Sequence, residues 1–144
     1  MNVAVLTVEK KIKGRKRQIL VDIMGNLLAV YVHSANLHDT KTGIIAAFLA
    51  CKQYPSLQRL CADQGYRKTF EEEVMKILGL GVDISEKIKS KKWEILPKRW
   101  VVERTFGWLN NSRRLSKDYE ISIASSENMI KIAHSRILLK RLFL

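Results

Sequence analysis

The segment QILVDIMGNLLAVYVH, residues 18–33, constrains the fold more than any other stretch of the chain. Two apolar segments rich in β-branched residues, Gln18–Met24 and Leu27–His33, flank the dipeptide Gly25-Asn26. β-Branched side chains favour strands, and a Gly-Asn pair between two such runs is typical of a hairpin turn. An isolated hairpin is marginally stable, so these strands predict a larger sheet that they join.

The rest of the chain alternates between strand and helix patterns. Asp39 is suited to cap a helix over residues 40–54, which ends before Pro55. LQRLCAD (57–63) predicts a short strand ending in Asp63, and TFEEEVMKILG (69–79) an amphipathic helix from an N-cap at Thr69 to Gly79. Further strands are expected over LGVDIS and WEIL, and helices over 97–115 and from Ser125 onwards. This order predicts one α/β domain, a mixed sheet covered by helices.

The charge of the chain indicates a polyanionic partner. The 144 residues carry a formal net charge of +12, and 47% of them are hydrophobic, so a packed domain is expected. Nucleic acid is the first candidate and an anionic membrane surface the second, but no apolar run approaches the roughly 18 residues of a spanning helix. The basic runs KKIKGRKR (10–17) and KIKSKK (87–92) would each be read as solvated loops if taken singly; together they favour a phosphate-binding surface.

The N-terminus and the cysteines indicate a cytoplasmic protein. MNVAVLTVEKK places its charges after its apolar stretch, the reverse of a signal peptide. Cys51 and Cys61 are ten residues apart without a CxxC pattern. We expect reduced, structural thiols and no thiolate metal site.

Two acids are candidate site residues, and each has an ordinary structural explanation. Asp63 ends a predicted strand, where a turn residue is common. Glu103 lies in the helix PKRWVVERTFGWLNNSRRL (97–115), at the border of its apolar stripe and one turn after Arg99. It could pair with Arg99 along the helix, or reach over the end of the sheet. The residue pattern leaves both alternatives open.

Three segments in order resemble bacterial insertion-sequence transposases of the DDE class, in the insertion-sequence-four and insertion-sequence-five families. They are KKIKGRKRQILVDIMGNLLAVYVHSANLHD, ADQGYRK and LPKRWVVERTFGWLNNSRRLSKDYE. RWVVERTFGWL followed by RRLSKDYE is the most specific part. The resemblance implies an RNase H-like fold acting on DNA, with two aspartates and a glutamate that hold Mg²⁺ or Mn²⁺. Such a metal pair activates the attacking oxygen and stabilises the leaving one.

The resemblance also assigns residues. Asp63 matches the second acidic position and Glu103 the third, as catalytic and metal-binding groups. Arg99 matches the arginine of the glutamate segment, whereas the expected tyrosine and lysine are Leu96 and Asn110 here. The expected DNA and phosphate contacts are Lys13, Arg15, Lys16, Arg17, Arg99, Arg113 and Lys117. The implied partners are transposon ends and either a second copy or a full-length transposase, with no membrane. Trp93, Trp100 and Trp108 are expected in the core rather than stacked on bases.

The first acidic position has no match. Relatives place an aspartate on a strand before the KGRKR segment, but MNVAVLTVE contains only Glu9 as an acid. We expect a non-matching segment over 1–9 and a truncated catalytic domain over 10–144, which either lacks the first strand or replaces it with NVAVLTV. Asp22 and Asp39 match aspartates that relatives carry in addition to the catalytic set. Two carboxylates under-neutralise two divalent cations, which predicts impaired cleavage by a shortened or split transposase.

Two other functions remain as alternatives. The chain could be a non-catalytic basic module that binds DNA and modulates an intact transposase; metal-dependent nicking separates it from the enzyme. It could also be a basic globular protein without a DNA role, in which KKIKGRKR is an ordinary solvated loop.

Overall fold

The computed structural model describes residues 3–9, 14–66, 69–85 and 99–143, which form one five-stranded mixed sheet with helices on both faces. The strands are β1 Val3–Glu9, β2 Arg15–Asp22, β3 Leu27–Ser34, β4 Arg59–Asp63 and β5 Gly81–Ser85. The helices are α1 Asp39–Gln53, α2 Thr69–Leu78, α3 Arg99–Asn110 and α4 Ile123–Phe143, and short 3-10 turns cover Gln64–Tyr66 and Arg113–Leu115. None of the helices in this part of the chain has the length and apolarity needed to cross a membrane.

β1 is the central strand of the sheet, so the valine-rich N-terminal segment forms a strand. The strand order is β3-β2-β1-β4-β5. β1 runs antiparallel to β2 and parallel to β4, and β4 runs parallel to β5. Ala4 and Leu6 lie in one core cluster and Val5 in the other, so β1 is covered on both faces. A strand buried on both faces needs an uninterrupted apolar run, which VAVL supplies.

The predicted hairpin is confirmed, although β2 begins three residues and ends two residues earlier than predicted, and β3 extends one residue further. β2 and β3 pair antiparallel, with Ile19 opposite Val30. Gly25 has a φ of 86°, a value that favours glycine. Asp22 Oδ1 accepts the backbone N–H groups of Met24 and Asn26, both at 2.8 Å. The Asp22 carboxylate therefore holds the turn together.

The first two helices cover one face of the sheet, and the last two cover the other. α1 and α2 pack on the face of Ala4 and Leu6, where the buried cluster includes Ala46, Ala47, Ala50, Phe70 and Val74. α3 and α4 pack on the face of Val5, where the buried cluster includes Val101, Val102, Leu109, Ile130 and Ala133. The chain thus builds a helix–sheet–helix sandwich.

Several element boundaries differ from the prediction. His38 is the N-cap of α1 and Asp39 its first residue, so the predicted cap was one residue late. α2 ends as predicted, where Gly79 has a φ of 67° and its N–H donates to Met75. α3 ends at Asn110, and a 3-10 turn follows. The predicted WEIL strand and the helix start near Pro97 lie outside the described residues.

Candidate functional site

The carboxyl ends of the parallel strands β1, β4 and β5 meet at one end of the sheet, here named the carboxyl end. The hairpin turn at Gly25 lies at the other end, here named the turn end, because Asp22 pairs with Ala4 at the start of β1. Ser34 pairs with Arg15, so α1 also begins near the carboxyl end. In open α/β sheets, ligands usually bind at the carboxyl ends of the strands.

Asp63 is the last residue of β4 and is half-buried at the carboxyl end. Its Oδ1 accepts the backbone N–H of Gly65 at 2.9 Å, which starts the 3-10 turn. Alternation along β4 puts Leu60 and Ala62 on the α1/α2 face and Cys61 on the α3/α4 face. Position 63 therefore belongs to the α3/α4 face. Asp63 therefore has the turn role that the sequence suggested, and its side chain still lies at the carboxyl end.

The strand register shows which residue of β1 stands beside Asp63. β1 and β4 pair in parallel with Val3 opposite Arg59 and Val5 opposite Cys61. Continuing this register by two residues brings position 7 level with Asp63, on a neighbouring strand about 4.8 Å away. Position 7 is a threonine. β1 thus brings no carboxylate to this level.

Glu103 lies on α3, which packs on the same face of the sheet as Cys61. Its side chain is exposed, whereas Val101, Val102 and Thr105 are buried. The sequence pattern placed Glu103 at the border of the apolar stripe. In the structure its side chain instead projects away from the buried residues of that stripe. Among the described residues, no group of three His, Cys, Asp or Glu side chains could hold a metal ion.

Asp22 and Asp39 lie at opposite ends of the sheet. Asp22 is at the turn end, where Oδ2 accepts the Asn26 side-chain amide at 2.8 Å in addition to the two N–H groups on Oδ1. Asp39 is near the carboxyl end and pairs with Lys16 at 2.8 Å. Asp22 is therefore a turn residue, and Asp39 a charge already paired with a lysine.

Tyr66 lies near Asp39 and Asp63 at the carboxyl end. Its ring is 1% exposed, and its hydroxyl has no hydrogen-bond partner among the described residues. Burial raises the pKa of this phenol, and the negative charges of Asp39 and Asp63 raise it further. The phenol therefore stays protonated, close enough to both carboxylates to respond to their charge.

The described basic residues of the first run, at positions 15–17, make contacts within the protein. Arg15 pairs with Asp118 at 3.5 Å, and Lys16 pairs with Asp39. Arg17 is 4% exposed and donates to the Leu115 carbonyl at 3.1 Å, so it supports the fold and offers no surface contact to a phosphate. Arg113 and Lys117 are exposed. Lys13 and the side chain of Arg99 lie outside the described residues.

The tryptophans differ from the expected core role. Trp100 is 43% exposed and Trp108 is half-buried, and neither belongs to a core cluster. Arg104 stacks on both rings, and Arg141 stacks on Trp108. The expectation of buried tryptophans was wrong for these two, and Trp93 lies outside the described residues. The four-residue spacing of Trp100, Arg104 and Trp108 is the signal that would have revealed this stack.

Comparison with known proteins agrees with this architecture. Residues 7–138 match the family described as the transposase DDE domain. The chain is 30% identical over 115 residues to a Burkholderia cepacia protein described as "Putative transposase for insertion sequence element IS402", a match that covers 74% of this chain and 54% of that protein. The chain therefore spans about half the length of this curated relative.

Solved structures share the fold. The catalytic core domain of BIV integrase superposes with a TM-score of 0.63 at 13% identity, covering 92% of this chain and 80% of that one. The HTLV-2 integrase catalytic core, solved with magnesium, gives 0.58 at 16% identity, covering 92% and 83%. Both cores have the RNase H-like fold. The chain belongs to the DDE transposase family and has the RNase H-like fold of its catalytic domains.

Proposed function

We propose that this chain is a transposase catalytic-type domain that binds DNA and whose strand cleavage is impaired at the first acidic position. The register of β1 and β4 supports the proposal, because continuing it two residues past the Val5–Cys61 pair brings Thr7 level with Asp63. The N-terminal segment supplies the central strand and its apolar packing, but it places no acid level with Asp63. In this proposal the fold is therefore kept while the first acidic ligand of the site is missing.

The residues present do not fit a two-metal centre. Asp63 and Glu103 are the two acids that match the family pattern, and Mg²⁺ or Mn²⁺ prefers oxygen ligands of this kind. Two carboxylates offset only half the charge of two divalent ions, and Thr7 adds none. In the described part of the chain, no third acid completes their group. A single weakly held ion is the most that this donor set supports.

DNA binding follows from charge and from the cations left at the surface. The net charge is +12, and Arg113 and Lys117 are exposed after α3. Lys13 and Arg99 are proposed contacts of the same kind. Neutralising several phosphates releases counterions, so the affinity should fall steeply as salt is raised. Transposon ends are the proposed target.

A non-catalytic role is the second candidate, and the same threonine favours it. A domain that binds transposon ends without cutting them would interfere with an intact transposase by joining its assembly. Exposed apolar residues near the C-terminus of α4 support self-association: Leu139, Leu142 and Phe143 are 54%, 76% and 80% exposed. Large exposed apolar patches commonly mark protein interfaces.

The test compares nicking of supercoiled plasmid in Mg²⁺ or Mn²⁺ by the unaltered chain, Thr7→Asp and Thr7→Asn. We expect no nicking by the unaltered chain or the neutral control, and metal-dependent nicking by Thr7→Asp that disappears when Asp63→Asn is added. Nicking by the unaltered chain that is lost in Asp63→Asn or Glu103→Gln would contradict impairment. If every variant bound DNA and none nicked it, only the non-catalytic DNA-binding role would be supported.

A further inference from the structure

A basic cavity of about 490 Å³ lies between the C-terminal parts of α3 and α4. Trp108, Asn111 and Ser112 line it from the α3 side, and Arg136, Lys140 and Arg141 line it from α4. We propose that this cavity, here named the α3–α4 pocket, binds the phosphate backbone of DNA at a distance from the acidic site. The inference rests on the proposed function in taking DNA as the substrate.

Stacking fixes the positive groups that flank the pocket. The Arg104 guanidinium lies 4.2 Å from the centre of the Trp100 ring and 4.6 Å from that of Trp108. The Arg141 guanidinium lies 4.2 Å from the Trp108 ring centre. Arg104 also donates to the Met24 carbonyl at 2.9 Å, which ties the stack to the hairpin turn. Side chains held in this way lose little conformational entropy when a ligand binds.

The pocket carries an uncompensated charge. Arg136, Lys140 and Arg141 are exposed, and no carboxylate is among the lining residues. Arg136 and Lys140 are four residues apart on α4, a spacing at which like charges repel each other along a helix. No ion pair joins these cations to an acid within the described ranges. A bound polyanion would remove that repulsion.

The lining chemistry suits a phosphodiester backbone better than an isolated small anion. Arginine and lysine supply charge, while the Asn111 amide and the Ser112 hydroxyl are neutral donors of the kind that commonly contact DNA phosphates. The pocket is also open along a helix instead of closing around one group, since its three cations are all exposed. This arrangement fits a chain of phosphates that passes across α4.

The position of the pocket sets its distance from the acidic site. A Cβ placed on Gly25 would meet the Trp108 ring at 3.2 Å, so the pocket adjoins the turn end. Asp63 lies at the carboxyl end, where the continued register puts it level with Thr7, three strand residues or about 10 Å from the Ala4–Asp22 pair at the turn end. The pocket adjoins the turn beyond that pair, so it is separate from Asp63 along the strand direction.

The test measures the salt dependence of binding to a 30-base-pair duplex by fluorescence anisotropy. Arg136→Gln with Lys140→Gln should lower the slope of log affinity against log salt by about 0.9 for each phosphate that the variant no longer neutralises. The control pair, Lys52→Gln with Lys76→Gln, makes the same charge change at exposed positions on α1 and α2 and should keep most of the slope. Circular dichroism melting establishes that both pairs fold.

The outcomes separate the pocket from the acidic site. An unchanged slope in the α4 pair, or an equal decrease in both pairs, would overturn the pocket. Loss of a dimer in the α4 pair without a change of slope would make the pocket a protein interface and would also overturn it. A selective decrease of the slope supports the pocket even if Thr7→Asp never nicks DNA, in which case only the proposed catalytic defect fails.

Discussion

The backbone N–H of Leu27 donates a hydrogen bond to His134 Nε2 at 3.3 Å, which joins the edge strand β3 to α4. A second contact lies along the same strand, where the Val32 N–H donates to Glu127 Oε1 at 3.1 Å. An edge strand exposes N–H groups that can pair with another chain. Side chains of α4 thus occupy two positions of β3 that a sheet-forming partner would otherwise use.

His134 should make stability depend on pH. Burial lowers the pKa of the imidazole, the charge of Arg141 lowers it further, and a hydrogen bond to Gly25 and the charge of Asp22 raise it, with a net lowering. In the unfolded chain His134 takes up a proton near pH 6.5, whereas in the folded chain it does so only at a lower pH. The contribution of His134 to the free energy of unfolding is therefore complete above about pH 6.5 and is lost as the pH falls through the folded pKa. Urea unfolding should show a lower free energy of unfolding at pH 5 than at pH 7.

His134→Gln keeps an acceptor for Leu27 but removes the titrating group, so it should flatten this decline. His38→Gln is the control, because His38 is exposed at the N-cap of α1. The same pH dependence in the unaltered chain and in His134→Gln would contradict the assignment.

Asp22→Ala should destabilise the hairpin without affecting a metal. Its carboxylate accepts three hydrogen bonds within the turn, so we expect a loss of about 2 kcal/mol in the free energy of unfolding. Asp22→Asn keeps the Oδ1 acceptor and should lose less. Mn²⁺ titration of Thr7→Asp should be the same with and without Asp22→Asn, since Asp22 lies at the turn end. Weaker Mn²⁺ binding would place Asp22 among the ligands.

Two glycines in helices should respond in opposite ways to alanine. At Gly43 in α1 a Cβ would lie 2.8 Å from the Tyr66 ring and 3.1 Å from the Phe70 ring. Both rings are buried, so overpacking should cost about 1–3 kcal/mol and exceed the helix-propensity gain. At Gly107 in α3 a Cβ would meet nothing within 4 Å. Gly107→Ala should stabilise the protein by about 0.5–1 kcal/mol. If both alanine variants changed the free energy of urea unfolding in the same direction, the packing described here would be contradicted.

Arg17 and Arg113 should separate structural from DNA-binding cations. Arg17→Gln removes a buried donor from the Leu115 carbonyl, so we expect a loss of about 1–3 kcal/mol in stability. Arg113→Gln changes an exposed side chain and should alter stability by less than about 0.5 kcal/mol. Only Arg113→Gln should weaken DNA binding by folded protein. Reversed effects in paired urea and anisotropy measurements would make Arg17 the phosphate contact.

The sequence alone predicted what depends on local spacing. The hairpin around Gly25, the helix that ends at Gly79 and the position of Asp63 at a strand end all follow from residues within one or two turns of chain. Alternation and helical periodicity indicate which face of an element is buried. They indicate neither which other element covers that face nor how much of a long side chain reaches the surface.

Tertiary structure decided the features on which function depends. A short valine-rich segment such as Val3–Glu9 can pair with many strands, and only packing from both faces made it the central one. The parallel register of β1 and β4 joins residues more than fifty positions apart, and its continuation past the Val5–Cys61 pair brings Thr7 level with Asp63. Such pairing is selected by the whole core and by loop closure, so no local pattern encodes it. For the same reason the sequence could not show that Arg17 is buried or that Arg141 of α4 stacks on Trp108 of α3.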